Sequence, residues 1–277
     1  MTVDFRADLH CHTYCSDGTD SPLELLQKAK EAGLQGLSIT DHDTLDAYNS
    51  DLFARAEQLG LCLIPGIELS SELQNSSIHI LGYAMDLDSA ELRAFLSELI
   101  KRRNCRNEEI LQRLKTKGFY IANEELEQFA QNAYAHRTIG RPHIAELMVR
   151  KGYVRSIQEA FERYLQEGKP CYVPGIKFTP EEAIEQIHRA NGKAVLAHPH
   201  FIKKGLVLRK LLSLPFDGLE CYYGTLHKKL EQPWVQIARE KQWIATGGSD
   251  YHGTIKPHIS LGCSWVDRQT FNCLLER

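Results

Sequence analysis

The sequence predicts an α/β protein of parallel strands, closed as a barrel or left as an open sheet, with an all-helical segment set between its two halves. Three observations predict it. Short apolar runs alternate with capped, amphipathic helices over residues 1–87 and again over 176–277. Residues 88–175 instead carry helical periodicity, with no convincing strand before Cys171-Tyr172-Val173. The third is the address of the histidines and acids, which fall where the predicted strands end.

The elements follow in order. Phe5, Ala7 and Leu9 alternate with Asp8, His10 and His12, a period-two strand. Ser21-Pro22-Leu23-Glu24 supplies an N-cap, a proline at the first helical position and a glutamate at the third, so a helix starts there and stops at Gly33. Gly36–Thr40 reads as a second strand, Thr44–Leu59 as a helix ended by Gly60, Leu61–Glu68 as a third strand and Ser77–Tyr83 as a fourth. Leu92, Phe95, Leu96, Leu99, Ile110, Leu111 and Leu114 then trace one long helix, followed by shorter ones near Glu124–Ala130, His143–Arg150 and Ile157–Leu165. From the capping box Thr179-Pro180-Glu181-Glu182 the alternation resumes, with strands expected at Ala194–Ala197, Gly218–Tyr222, Trp243–Thr246 and near Ile259–Gly262.

Composition narrows the function. With 277 residues, 43% hydrophobic and 25% charged, the chain can bury a sizeable core, and wholesale disorder is excluded. No apolar run reaches the roughly 18 residues of a membrane span, and the N-terminus does not read as a secretory signal. A net charge of −3 argues against a non-specific nucleic-acid coat, so stable DNA binding is not expected. Eight cysteines without a Cys-x-x-Cys pair read as reduced thiols of a cytoplasmic protein.

Twelve histidines, many beside acids, are the departure from the ordinary. His10, His12, His42, Glu68, His198, Asp250 and His252 each stand at or just past a strand end, and in a barrel of parallel strands those ends share one face. His10 and His12 are two apart on a strand, so both rings point one way while Cys11 points to the other. Asp17, in the turn Ser16-Asp17-Gly18, can fold back over them, and His79 lies within reach of Glu68. A closed zinc site uses about four ligands. Nine candidates suit two or three ions with Glu68 bridging, and imidazole mixed with carboxylate without thiolate suits Mn²⁺, Fe²⁺ or Zn²⁺ rather than Ca²⁺ or Mg²⁺ alone.

Asp8-Leu9-His10-Cys11-His12-Thr13, Thr40-Asp41-His42-Asp43, Pro65-Gly66-Ile67-Glu68, Ala197-His198-Pro199 and Gly248-Ser249-Asp250-Tyr251-His252 together resemble the PHP (polymerase and histidinol phosphatase) family of metal-dependent phosphoesterases. The nearest likeness is to its nucleoside 3′,5′-bisphosphate phosphatases, some of them also 5′→3′ exoribonucleases on short RNA. The resemblance implies a distorted (β/α)7 TIM-like barrel, over 1–87 and 176–277, with the helical insertion at 88–175. It implies three ions: one on His10, His12, Glu68 and Asp250, one on Asp17, His42 and His252, one on Glu68, His79 and His198. It also implies hydrolysis by a metal-bridging hydroxide and a nucleotide bisphosphate or short RNA as substrate. Arg141-Pro142-His143 and Gly168-Lys169-Pro170-Cys171-Tyr172-Val173 match elements of that subgroup, which makes Arg141, His143 and Lys169 candidate substrate contacts.

Two rivals stand beside this expectation. A histidinol-phosphate type of phosphatase would use the same ligands, but the helical insertion and Arg141-x-His143 argue against it. A non-catalytic metal-binding module would have lost ligands, whereas all nine are present. Arg93–Lys117 holds eight Lys/Arg against three Asp/Glu, a pattern that guides a nucleotide tail or is simply a solvated face. His200, which follows the Ala-His-Pro motif, is open to a role as phosphate contact or general acid but is expected to be a solvent-facing loop residue.

Overall fold

The computed structural model describes residues 4–131, 138–174 and 178–276. Its strands form two sheets. β1 (Ala7–Cys11), β2 (Gly36–Ile39) and β3 (Cys62–Leu63) pair in parallel. β4 (Gly66–Leu73), β5 (Ser76–Tyr83), β6 (Lys193–Leu196), β7 (Gly218–Tyr223) and β8 (Ile244–Gly248) pair in that order. Only β6, β7 and β8 are parallel; β5 runs antiparallel to both neighbours. Isolated bridges His42↔Glu68 and Cys11↔Tyr251 stitch the sheets together at two places. Among the described residues the strands therefore make two open sheets facing a common core rather than one continuous ladder, with pairing interrupted by register shifts in β1 and in β7.

Local chemistry accounts for most elements. α1 (Pro22–Glu31) starts on the expected capping box, Ser21 Oγ accepting from Glu24 N and Glu24 accepting from Ser21 N. α7 (Pro180–Arg189) repeats it with Thr179 and Glu182. Gln74 and Asn75, both at positive φ, make the tight turn that sends β5 back along β4.

The differences from the sequence reading are informative. Leu61–Glu68 is two strands, because Pro65 has no N–H for a ladder and the chain changes sheets there. α2 spans Ser50–Leu59 only. Thr44–Asn49 forms a loop, held by Tyr48, whose Oη accepts the N–H of Ile39 and Gly66. Cys171–Val173 is not a strand; Cys171 N–H caps the preceding segment on Tyr164 O, and Tyr172 O accepts from Arg113. Ile259–Gly262 is a turn, and the pairing with β1 falls instead to Val266 opposite Ala7.

The helical segment between β5 and β6, expected above as an insertion, contains α3 (Ala90–Thr116), α4 (Asn123–Gln131), α5 (Arg141–Arg150) and α6 (Ile157–Ala160), the last running into a π-turn at Phe161–Leu165. Leu92, Leu96 and Leu99 at the start of α3 pack with Ile184 and Ile187 of α7 in the main core. Ile110, Leu111 and Leu114 at its far end pack with Ile144, Met148 and Leu165 in a separate core. α3 is thus the beam that holds the insertion over the strand ends. α8 (Gly205–Leu211), α9 (Lys228–Lys241) and α10 (Arg268–Cys273) complete the fold.

Candidate metal centre

All nine ligand-type residues singled out in the sequence converge. Glu68, 1% exposed on β4, lies at the middle. Its Oε1 accepts from His79 Nδ1 (2.8 Å) and His198 Nε2 (2.9 Å). Its Oε2 faces His10 Nε2, His12 Nε2 and His42 Nδ1 at 3.4, 3.2 and 3.1 Å. One carboxylate thus separates two sets of imidazoles. Asp250 Oδ1 lies 3.5 Å from His10 Nε2 and 3.4 Å from His12 Nε2. Asp17 sits between His252 Nε2 (3.3 Å) and His42 Nε2 (3.7 Å), so the Ser16-Asp17-Gly18 turn does fold back over the strand ends.

These atoms make three overlapping groups with ligand spacing: His12, Asp17, His42 and His252; His10, His12 and Asp250; and His42, Glu68 and His79. The donor set fits divalent cations on two counts. The ring nitrogens His10 Nε2, His12 Nε2 and His42 Nδ1 are buried without a hydrogen-bond partner among the described residues, a costly state unless something accepts their lone pairs. The carboxylates also demand positive charge. Burial alone would lower the His10 imidazole, yet Glu220, Glu68 and Asp250 lift it well above its ordinary value. His12, likewise buried, is raised to about 9 by Asp250 and Glu68.

Residues behind the ligands aim them. Glu220 on β7, 1% exposed, accepts from His10 Nδ1 (2.7 Å) and from the backbone N–H of His198 (2.6 Å). A carboxylate cannot donate, so His10 carries its proton on Nδ1 and turns Nε2 into the cluster. Asp41 accepts from Thr13 N (2.7 Å), Thr13 Oγ1 (2.5 Å) and Ser16 Oγ (2.6 Å), which fixes the loop carrying Asp17. Asp8 ties Ser249 and Gly262 to β1 through their N–H groups at 2.9 and 2.8 Å. Lys256 Nζ and Tyr223 Oη both donate to Asp250 Oδ2 at 2.5 Å. His198 and Asp250 occupy positive φ (26° and 56°), strained backbone of the kind that functional sites retain. Gly248 must be glycine, because a Cβ there would meet the backbone of His10.

Glu220 does not stand out in the sequence; Asp41 is seen there only as part of Thr40-Asp41-His42-Asp43, and Arg103 and Arg106 only within the basic stretch Arg93–Lys117. Glu220 leaves one signal, an acid inside an apolar run that forms a parallel strand. Arg103 and Arg106 leave another, since residues three apart on α3 share a face.

A cavity of about 780 Å³ opens beside the cluster, lined by Asp17, His42, His79 and His252 on one side and by Arg103, Arg106 and Arg141 of the insertion on the other. Arg141 begins α5 and lies over the Tyr172 ring, 5.4 Å from its centroid. Arg103 donates to Asp43 and to Ser70 Oγ (2.7 Å). His143 is placed differently from the expectation of a substrate contact: at 1% exposure, its Nδ1 accepts the N–H of Gly140 (2.9 Å) and caps α5. Lys169 sits in the turn after Gln166 and lines none of the three cavities around the cluster. His200 does not face solvent as expected; both ring nitrogens are buried, and the ring packs on Phe201 and Tyr223 with centroids 4.2 and 4.6 Å away. No helix among the described residues is long and apolar enough to cross a membrane.

Comparison with known proteins agrees with this chemistry. The PHP domain model matches residues 8–171. The 5′-3′ exoribonuclease Rnm of Escherichia coli is 36% identical over 264 residues, 92% of this chain and 87% of that protein. The 3′,5′-nucleoside bisphosphate phosphatase of Chromobacterium violaceum is 29% identical over 250 residues, 88% of this chain and 86% of that one. The solved structure of a Bifidobacterium adolescentis protein, considered to be a metal-dependent phosphoesterase, superposes with a TM-score of 0.86 at 28% identity, covering 97% of this chain and 95% of that one. A model match over more than half of the chain, relatives of nearly full length and a buried cluster of imidazoles and carboxylates lead to one conclusion: the chain belongs to the PHP domain family and is a metal-dependent phosphoesterase.

Proposed function

We propose that this phosphoesterase removes the 3′-phosphate of nucleoside 3′,5′-bisphosphates and trims 5′-phosphorylated short RNA in the 5′→3′ direction. One observation carries the reading. Arg103, Arg106 and Arg141 wall a cavity that opens onto the ligand cluster, and Arg106 is a cation in search of an anion. Its Nε and Nη2 are buried with no hydrogen-bond partner among the described residues. Burial first, then Arg103 and Arg141 beside it, act against its charge. A guanidinium keeps its proton under such pressure, so a bound dianion is what relieves it. A phosphate that is not the one being hydrolysed fits, and the names of the two relatives supply two substrates that carry one.

His10, His12, Asp17, His42, Glu68, His79, His198, Asp250 and His252 would hold two or three divalent ions, Mn²⁺ in our reading. Such ions supply Lewis-acid polarisation of a phosphoryl oxygen and lower the pKa of a bound water. Arg106 and Arg141 would clamp the terminal 5′-phosphate in bidentate fashion and place the ester at the 3′ side over Glu68. Arg103, tied to Asp43 and Ser70, holds that wall in place. Lys256 and Tyr223 hold the Asp250 carboxylate in its orientation.

The test is phosphate release in Mn²⁺ from adenosine 3′,5′-bisphosphate and histidinol phosphate, and nucleotide release from a 5′-phosphorylated RNA pentamer. The unaltered enzyme should prefer the bisphosphate and the RNA. Arg106→Ala should lower kcat/KM on both by about 10- to 100-fold, the worth of one or two charged hydrogen bonds. Preference for histidinol phosphate, unchanged in Arg106→Ala, would discard the substrate assignment and leave the phosphoesterase standing.

A further inference from the structure

The cavity at the arginine wall is one arm of a longer cleft. A second cavity of about 580 Å³ lies over Glu68, His198 and Asp250 and shares Arg141, Phe161 and His79 with the first. A third, of about 600 Å³, shares Arg141, His79, His198 and Phe201 with the second and continues past Lys203 and Lys204, without Arg103 or Arg106. The candidate metal centre therefore lies beside a run of adjoining cavities, with Arg103 and Arg106 lining the first and Lys203 and Lys204 the third. A bisphosphate needs only the arginine arm. A polymer cut next to its 5′-terminal nucleotide needs somewhere for the remaining strand to lie.

The second arm has what single-stranded nucleic acid uses: an aromatic plate and cations beside it. Phe201 is 55% exposed, yet its ring is not free to wander. It closes a one-turn helix, Pro199–Phe201, directly after β6. It rests against His198 (5.5 Å between centroids), His200 (4.2 Å) and, edge-on, Tyr223 (5.4 Å). An apolar ring fixed on one side and bare on the other costs free energy in water and gains it when a base covers the bare side. Lys203 is exposed and forms no salt bridge with a described residue. Lys204 pairs with Glu167 of the insertion at 3.1 Å, both about half exposed, a contact weak enough for a phosphate to displace.

On the strength of the function proposed above, we infer that the arm lined by Phe201, Lys203 and Lys204 is the binding track for the RNA strand 3′ of the scissile phosphate, with Phe201 stacking the first base beyond it. The two arms then divide the substrate: Arg106, with Arg141 where the arms meet, takes the 5′ end, and Phe201 takes the strand that leaves.

The experiment compares adenosine 3′,5′-bisphosphate with a 5′-phosphorylated RNA pentamer, in Mn²⁺, for the unaltered enzyme, Phe201→Ala, Phe201→Tyr and Lys203→Ala. One lost base stack corresponds to about a five-fold or larger fall in kcat/KM. We expect that fall in Phe201→Ala on the pentamer only, rescue by Phe201→Tyr, and a smaller, salt-sensitive fall in Lys203→Ala. Equal losses on both substrates would mean that Phe201 merely supports His198, and no loss on either would mean that the strand goes elsewhere; each overturns the track. If the unaltered enzyme turns over neither substrate, the function proposed above fails and the track falls with it.

Discussion

The strand ends and the helical insertion face each other across one cleft, and they are opposites. The strand side gathers the buried carboxylates of Asp17, Glu68, Asp250 and Glu220 around six buried or half-buried imidazoles, several held by short hydrogen bonds. The insertion side presents Arg103, Arg106 and Arg141 from the helices α3 and α5. One side needs cations, the other needs an anion, and a phosphate ester in metal ions satisfies both. The contrast teaches where reaction and selection reside. In the function proposed above, groups that act on any phosphate are fixed by the sheets, whereas the arginines that would read the rest of the substrate hang from a separate core that is attached through α3.

That division can be broken experimentally, starting at its centre. Glu68→Gln leaves the shape but removes the charge shared by five imidazoles, so activity on every phosphate ester should fall by at least about 10⁴-fold. Metal analysis should show reduced ion content with an unchanged circular-dichroism spectrum. Loss confined to nucleotide substrates would contradict a shared centre.

Next comes the link between the two sides. Arg103 and Asp43, 7% and 0% exposed, form a buried pair between α3 and the loop after β2. Arg103→Ala leaves the carboxylate unpaired and should cost about 3–5 kcal/mol in urea unfolding. Burial acts to raise the Asp43 carboxyl, but Arg103 outweighs it and holds it below the usual range. The sign follows: the pair's contribution is complete above the unfolded value of about 3.9 and is lost as pH falls through the lower, folded value. The variant's deficit should therefore be full at neutral pH and shrink only under strong acid. A deficit that shrinks already near neutral pH would assign the stability to another group.

The smallest effect sharpens the strand side. Glu220→Gln keeps an oxygen for His10 but allows the wrong tautomer, so metal affinity should drop about 10- to 100-fold with substrate preference unchanged. A change in preference instead would place Glu220 on the selecting side of the comparison.

How much of this was legible in the sequence differs between the two sides for a physical reason. Most of the ligand-type residues were readable because they lie at or near strand ends, as in His10-Cys11-His12 or Asp250-Tyr251-His252, whereas His79 stands in the middle of β5. Period-two geometry then decides which side chains point together. Glu220 was not readable, because its role depends on His10, 210 positions away, and on a register shift inside β7 that no local pattern announces. His143 was read as a substrate contact from its place in Arg141-Pro142-His143, an element that does not tell whether the ring turns back to accept the N–H of Gly140.

The sequence by itself determined the α/β alternation, the helical segment between the halves, the capping boxes at Ser21 and Thr179 and the nine ligand-type residues. Those follow from spacing over a few residues, where backbone geometry leaves little choice. Only the tertiary structure decided that the strands split into two sheets at Pro65, that Glu68 stands between two sets of histidines, and that Arg103, Arg106 and Arg141 share one wall. Each of these rests on contacts between residues far apart in the chain, set by how α3 and the sheets pack, and packing depends on the shape of the whole core rather than on any stretch of it.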